Sequence, residues 1–409
     1  MNDWAPALTL AIGGATLAAV AVGEIPRLRM NRATMAVVGA TALLATGLRT
    51  LPEAYAAVDG NTLVLLFGMM VLNANLRIAG FFGRAATLLV AAARTPRRLL
   101  AVTIALSALL SAILLNDTVA LGLTPLVLGM TRAAGLAPLP FLMGLATATN
   151  IGSVATVVGN PQNMIIGVSS GISFLDFAAA LAPVAAAGCL LSWGILVLVY
   201  RRELAPRVLH PHPASDLEVD EDLLRKSLLA TGVLLAALVA GVPVPLAALC
   251  AASLLLVTRR MAPERVFAEI DWSLLVFFTG LFVVSDAIDA GLRDTGLHVH
   301  MQAWVDSGTA GLTAVTALLS NVVSNVPAVL LLRGPVAALA DPERGFLVLA
   351  MASTLAGNLT LLGSVANLIV AELARREGVV LTFSEYLRAG VLITLATLAV
   401  GVAWLGEAG

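Results

Sequence analysis

Charge is what this sequence has least of. Only 12% of its 409 residues are Asp, Glu, Lys or Arg, about half the share of a soluble globular domain. That is too little polar surface to cover a body in water, so a soluble fold is excluded. Lysine occurs once, at Lys226, with no glycine-rich loop before it. A phosphate-cradling Walker A motif is therefore missing, and with it nucleotide hydrolysis by this chain. Cysteine occurs twice, at Cys189 and Cys250, far apart in apolar segments. They form neither a disulfide framework nor a thiolate metal site, and read as core filler. The four histidines, His210, His212, His298 and His300, all fall in expected loops and offer no metal centre. The net charge of −1 comes with no basic patch, which excludes a nucleic-acid partner. The N-terminus lacks the basic leader of a cleaved signal peptide.

Hydrophobic residues make up 59% of the chain and the mean hydropathy is +0.95. The fold class is an all-α polytopic membrane protein. Apolar runs of roughly 17–25 residues suffice to cross a bilayer as helices. Ten such spans are read near 5–23, 33–51, 61–82, 139–158, 174–200, 226–241, 244–258, 272–290, 345–362 and 383–407. Two further stretches, 99–131 and 304–340, are too long for one span. Polar residues interrupt each of them: Asn116-Asp117-Thr118 in the first, Asn321 and Ser324-Asn325 in the second. Both read as re-entrant helical hairpins whose tips stop at the membrane centre, where irregular backbone is tolerated if it lines a cavity. Basic residues set the orientation. With the N-terminus outside, eighteen of them fall in inner loops, among them Arg27, Arg32, Arg259 and Arg260, and four (Arg49, Arg293, Arg333, Arg344) fall outside. Both termini are then outside, as in a multi-pass protein of the plasma (inner) membrane.

The two halves match each other. Asp59 parallels Asp271, Gly68 parallels Gly280, Asn116-Asp117 parallels Ser324-Asn325, and Gly159-Asn160-Pro161-Gln162-Asn163 parallels Gly363-Ser364-Val365-Ala366-Asn367. This divides the chain into a first repeat (1–207), a cytoplasmic linker (208–225) and a second repeat (226–409). The span layout runs the repeats in opposite directions, an architecture common among secondary transporters, whose sites lie at the midplane where interrupted helices meet. Broken helices expose free N–H groups at one end and free carbonyls at the other, which suits anions, neutral oxyacids and cations.

The segments Leu115–Leu121, Asn150–Asn163, Ser324-Asn325-Val326-Pro327 and Asn358–Asn367 resemble the ion transporter superfamily. They are most similar to its branch of arsenite permeases and sodium/proton antiporters, with divalent-anion/sodium symporters as cousins. The resemblance implies a homodimer, scaffold helices at 5–51 and 226–258, and elevator-like displacement of the hairpin-containing core. The carboxylate symporters carry Ser-Asn-Thr at both tips. Here the first tip has an acid, Asp117, and the second has Val326 in place of threonine.

Asp117 is the only acid placed near the bilayer centre, where a carboxylate is costly and by default functional. It reads as the proton-coupling residue; the bland alternative is a cap on the second arm. The substrate- or ion-binding set is Asn116, Asp117, Thr118, Asn150, Gly159, Asn160, Asn163, Ser324, Asn325, Gly363, Ser364 and Asn367. Arg333 reads as snorkelling to the interface, and Asp286 and Asp289 as solvated. No nucleophile–base pair or metal cluster points to an enzyme, and no cofactor is expected beyond a coupling H+ or Na+. The leading function is secondary transport of a small inorganic oxyanion or weak oxyacid, such as arsenite efflux. Sodium-coupled carboxylate or sulfate uptake and sodium/proton antiport are the alternatives. The expected partners are a small inorganic solute, the lipid bilayer and a second copy of the chain. A soluble ATPase partner is left open.

Overall fold

The computed structural model describes residues 4–25, 29–92, 94–209, 219–257 and 262–407. These form twenty α-helices and one two-residue antiparallel ladder, Glu24–Ile25 with Met30–Asn31. The first half holds α1 (Ala5–Val22), α2 (Arg32–Ala45), α3 (Leu51–Ala57), α4 (Gly60–Ile78), α5 (Phe81–Ala92), α6 (Pro96–Ile113), α7 (Asn116–Ala133), α8 (Leu139–Ser153), α9 (Pro161–Ser170) and α10 (Phe174–Val199). The second half holds α11 (Glu221–Val239), α12 (Val244–Leu256), α13 (Pro263–Phe267), α14 (Trp272–Asp294), α15 (His298–Val305), α16 (Gly308–Val323), α17 (Asn325–Ala337), α18 (Pro342–Ala356), α19 (Val365–Arg376) and α20 (Phe383–Glu407).

Local chemistry sets the helix starts. Asn31 and Thr34 form a capping box on α2, and Thr50 and Glu53 form one on α3. Asp59 caps α4 through the N–H groups of Asn61 and Thr62, and its counterpart Asp271 caps α14 through Leu274 N–H. Gly241, at φ 78°, closes α11, and Pro243 precedes α12, which gives the expected tight hairpin.

Among the described residues six helices, α1, α4, α6, α10, α14 and α20, are long and apolar enough to cross a membrane, where ten spans were expected. Helices α8 and α18 stop at 15 residues because each meets a break and the chain resumes in α9 or α19. Helix α2 has 14 residues and α12 has 13. Helix α11 is long enough but carries Glu221, Asp222, Arg225 and Lys226 near its start. The hairpin boundaries also shift. Helix α6 begins at Pro96 rather than 99 and has 18 residues, a crossing length in its own right. The stretch 304–340 divides into the end of α15, then α16 and α17.

Other expectations need correction. His298 and His300 sit on the exposed helix α15, not in a loop, because Gly296 at φ 74° ends α14 and the chain coils again at once. Cys250 is exposed on α12 rather than filling the core, and Cys189 is half-buried. The linker ends sooner than 225, since Asp220 caps α11 and Glu221 and Asp222 fill its first turn, where acids suit the helix dipole. His210, His212, Arg27, Arg259 and Arg260 lie outside the described residues.

The halves exchange partners. Helix α2 packs on α14 and α12 packs on α4; likewise α7 packs on α19 and α17 on α9. Glycines permit the first exchange. A Cβ at Gly68 on α4 would lie 2.8 Å from the Ala248 backbone of α12, and one at Gly280 on α14 would lie 2.8 Å from the Ala36 backbone of α2. Close backbone approach of this kind is what small residues contribute to helix packing in membranes.

Candidate solute cavity at two helix tips and two breaks

The chain turns between α6 and α7 through Leu114 and Leu115, both extended, so α7 begins without a side-chain cap. Asp117 is therefore not a capping residue. The tip is held from behind, where Asn116 N–H donates to Gly159 O at 3.0 Å. A Cβ at Gly159 would lie 2.6 Å from Ser153 O and 2.7 Å from Ser111 O, so only glycine fits there. The second tip is one residue, Ser324, at φ 80° and ψ 160°, and α17 also starts without a side-chain cap. Behind it a Cβ at Gly363 would meet Gly357 O at 2.8 Å. The two breaks are capped alike. Asn160 Oδ1 accepts from Asn163 N–H at 2.9 Å to start α9, and Ser364 Oγ accepts from Ala366 N–H at 3.2 Å to start α19.

A buried amide network ties the breaks together. Asn163 Nδ2 donates to Ser153 O and Thr156 O, both at 3.0 Å. Asn367 Nδ2 donates to Gly357 O at 2.8 Å and Thr360 O at 3.2 Å. These acceptors are displaced by 204 residues, like the donors. The cross-half bonds obey the same shift. Asn150 joins Asn367 at 3.1 Å and Ser364 at 2.9 Å, while Thr354 joins Asn163 and Asn160, each at 3.3 Å. Asn150 also accepts from Asn116 Nδ2 at 3.2 Å and donates to Asn358 Oδ1 at 2.9 Å.

In front of this network is a cavity of about 310 Å³. The tips supply Asn116, Asp117, Ser324, Asn325 and Val326; the second break supplies Gly363 and Ser364; the first supplies Pro161 and Gln162. Helix α2 adds Arg32, and the start of α14 adds Asp271, Ser273, Phe277 and Phe278. The Oδ1 atoms of Asn116 and Asn325 are buried without a hydrogen-bond partner. Asp117 lies within electrostatic range of both Asp271 and Arg32. The cavity thus offers two free amide oxygens, hydroxyls, one guanidinium and two carboxylates, a set that fits a small multiply hydroxylated solute.

Of the twelve residues expected to touch solute, six line this cavity: Asn116, Asp117, Ser324, Asn325, Gly363 and Ser364. Thr118 lines a neighbouring cavity. Asn150, Gly159, Asn160, Asn163 and Asn367 stand behind, buried at 2% exposure or less for the four asparagines, and act on the tips through hydrogen bonds. Arg32, read from sequence as an inner-loop topological charge, is the first residue of α2 and lines the main cavity. Thr354 was also missed, although the 204-residue shift from Asn150 points to it. Arg333 does not reach outward freely; its guanidinium lies 5.9 Å from the Phe282 ring centre, a cation–π contact. Asp286 pairs with Arg49 at 3.1 Å and Asp289 with Arg293 at 2.6 Å. Among the described residues no group of three or more His, Cys, Asp or Glu could hold a metal.

Helices of crossing length around a polar, doubly interrupted cavity define an integral membrane transporter. A family model described as "Citrate transporter" matches residues 16–348, and the chain belongs to that family, within the ion transporter superfamily. It is 31% identical to a silicon efflux transporter, LSI3, of Oryza sativa subsp. japonica, over 94% of each chain. It is 26% identical to a putative transporter, arsB, of Dictyostelium discoideum, over 92% of this chain and 87% of that one. In solved structures it is similar to the YdaH transporter of Alcanivorax borkumensis, described as having an unusual topology. There the TM-score is 0.57 at 16% identity, covering 99% of this chain and 97% of that one, a likeness of fold.

Proposed function

We propose that this protein is a proton-coupled secondary transporter that exports a small weak oxyacid of the arsenite or silicate type across the plasma membrane. One observation carries the reading: Asp117 and Asp271 face the same cavity as the unpartnered amides of Asn116 and Asn325. A neutral oxyacid presents O–H donors to carboxylates and amide oxygens and meets no repulsion. A tricarboxylate would face two carboxylates and only one guanidinium, Arg32, in surroundings where like charges repel strongly. Relatives named for silicon efflux and arsB support the same solute class.

In this reading the α6–α7 and α16–α17 pairs are re-entrant hairpins of an inverted repeat. The 204-residue symmetry of the hydrogen bonds and the exchanged helix partners support that arrangement. Both termini lie outside, two copies associate through the scaffold helices, and solute leaves in exchange for a proton carried on Asp117. The test is flux in proteoliposomes of the purified chain, with arsenite, silicate and citrate offered under an imposed pH gradient. The expected result is gradient-driven movement of arsenite or silicate, with Asp117→Asn reducing accumulation at least about tenfold while the protein remains folded. Preferential transport of citrate, or an Asp117→Asn variant with wild-type accumulation and pH dependence, overturns the reading.

A further inference from the structure

A second cavity, of about 170 Å³, lies beside the main one and shares Asp117, Pro161, Asp271 and Leu274 with it. Its lining includes the ion pair of Arg77, in the last turn of α4, with Glu269. Both side chains are partly exposed, at 32% and 37%. One turn back along α4 from Arg77, the cavity is lined by Asn73. Asn73 is 3% exposed, and neither its amide nitrogen nor its amide oxygen has a hydrogen-bond partner. A buried amide left wholly unpaired is costly, and ordered water is the usual remedy. Water in the liquid occupies about 30 Å³ per molecule, so the cavity has room for several.

We propose that this side cavity is a water-filled proton route from the surface at Arg77–Glu269 to Asp117, with Asn73 holding the waters midway. The inference rests on the reading of Asp117 as the coupling carboxylate. A proton entering at the ion pair passes from water to water and ends on an Asp117 carboxylate oxygen; discharge reverses the path. The charged groups facing Asp117 are Arg32 from α2 and Asp271 at the start of α14, with Arg77 of α4 and Glu269 farther along the route. Helix α9 contributes the uncharged Pro161 to its wall, and α19 contributes Ile369. With Asp117, Glu269 and Asp271 on its walls and Arg77 as the single base, the route attracts protons and repels anions. In this proposal solute and proton reach Asp117, which lines both cavities, by different cavities. The main cavity carries the solute, and the side cavity adjoins it at the residues they share, Asp117 among them.

The test uses the full chain in proteoliposomes, with arsenite as the probe and an entrapped pH dye. Asn73→Leu keeps the branched four-atom framework, slightly enlarged, but removes both polar atoms; Asn73→Ser restores a hydroxyl. Asn73→Leu should slow arsenite-coupled proton flux at least fivefold. Arsenite–arsenite exchange, which moves no net proton, should stay within twofold. Asn73→Ser should recover most of the coupled flux. Water access is read without transport: Thr118→Cys, in a Cys189→Ala, Cys250→Ala background, should react with a small cationic methanethiosulfonate, and adding Asn73→Leu should slow that reaction at least fivefold. Wild-type coupled flux in Asn73→Leu, or equal slowing of exchange and coupled flux in both Asn73 variants, overturns the route. If Asp117→Asn abolishes coupling while Asn73→Leu does not, the side route alone fails. If Asp117→Asn leaves coupling intact, the coupling reading fails and takes the route with it.

Discussion

Asn150 makes four hydrogen bonds from one buried side chain, two donated and two accepted. That is the full capacity of a primary amide. Its partners come from the first tip, the second break and α18's end, so a single side chain sets the spacing of three otherwise separate pieces of backbone. Asn150→Leu keeps the branched shape but leaves Asn358, Asn367, Asn116 and Ser364 each short of a partner. A buried polar group left unpaired costs about 1–3 kcal/mol. Asn150→Leu should therefore lower the thermal midpoint of the detergent-solubilised protein by many degrees and abolish arsenite flux. A variant with a wild-type melting curve would show that water replaces the lost partners. Asn150→Asp still accepts from Asn116 and Ser364 but turns a second oxygen toward the Asn358 and Asn367 oxygens, so as a buried carboxylate it should melt no higher than Asn150→Leu.

At the scale of helices, two matching close approaches lie where the halves exchange partners. Gly280→Val would place side-chain atoms against the Ala36–Val37 backbone, and Gly68→Val would do the same at Ala248. Overpacking a tight contact costs about 1–3 kcal/mol, occasionally more. Both variants should lose stability in a melting assay, whereas Gly14→Val and Gly194→Val, with open space around them, should not. Much of this level was legible in the sequence. Apolar length and polar interruption located nearly every long helix and both tips, because burial in lipid leaves a strong compositional trace. The short pieces α3, α13 and α15, together with α5, left no such trace. They are too short or too mixed in character to stand out from connecting segments. Arg32 went unrecognised for a different reason. It follows a basic stretch, where a count of positive charges absorbs it, and its neighbours Asp117 and Asp271 are brought to it only by tertiary packing. The five glycine and asparagine positions behind the cavity were legible as special but not as supporting. Sequence spacing shows that a helix breaks, and not which side of the break faces solute.

For the whole molecule, the matching hydrogen bonds of the two halves give a nearly symmetric core, but the two tips are not equivalent. The first turns through two relaxed leucines. The second turns on Ser324, whose φ of 80° and ψ of 160° fall in a region populated almost entirely by glycine. In the proposed cycle, which alternates between two ends related by a two-fold axis, perfect symmetry would make those ends degenerate, and the resting population would be divided evenly. A strained residue at one tip lifts that degeneracy. Holding such a backbone costs about 1–3 kcal/mol, comparable to the gap that separates conformers of a two-state protein. Ser324→Gly should release it, raise the thermal midpoint, slow hydrogen exchange along α17 and slow turnover, because the cycle must then climb out of a deeper well. Unchanged turnover with a raised midpoint would place the strain outside the cycle. In the proposed cycle the conformational bias would then reside in the backbone of one serine, set before any solute arrives.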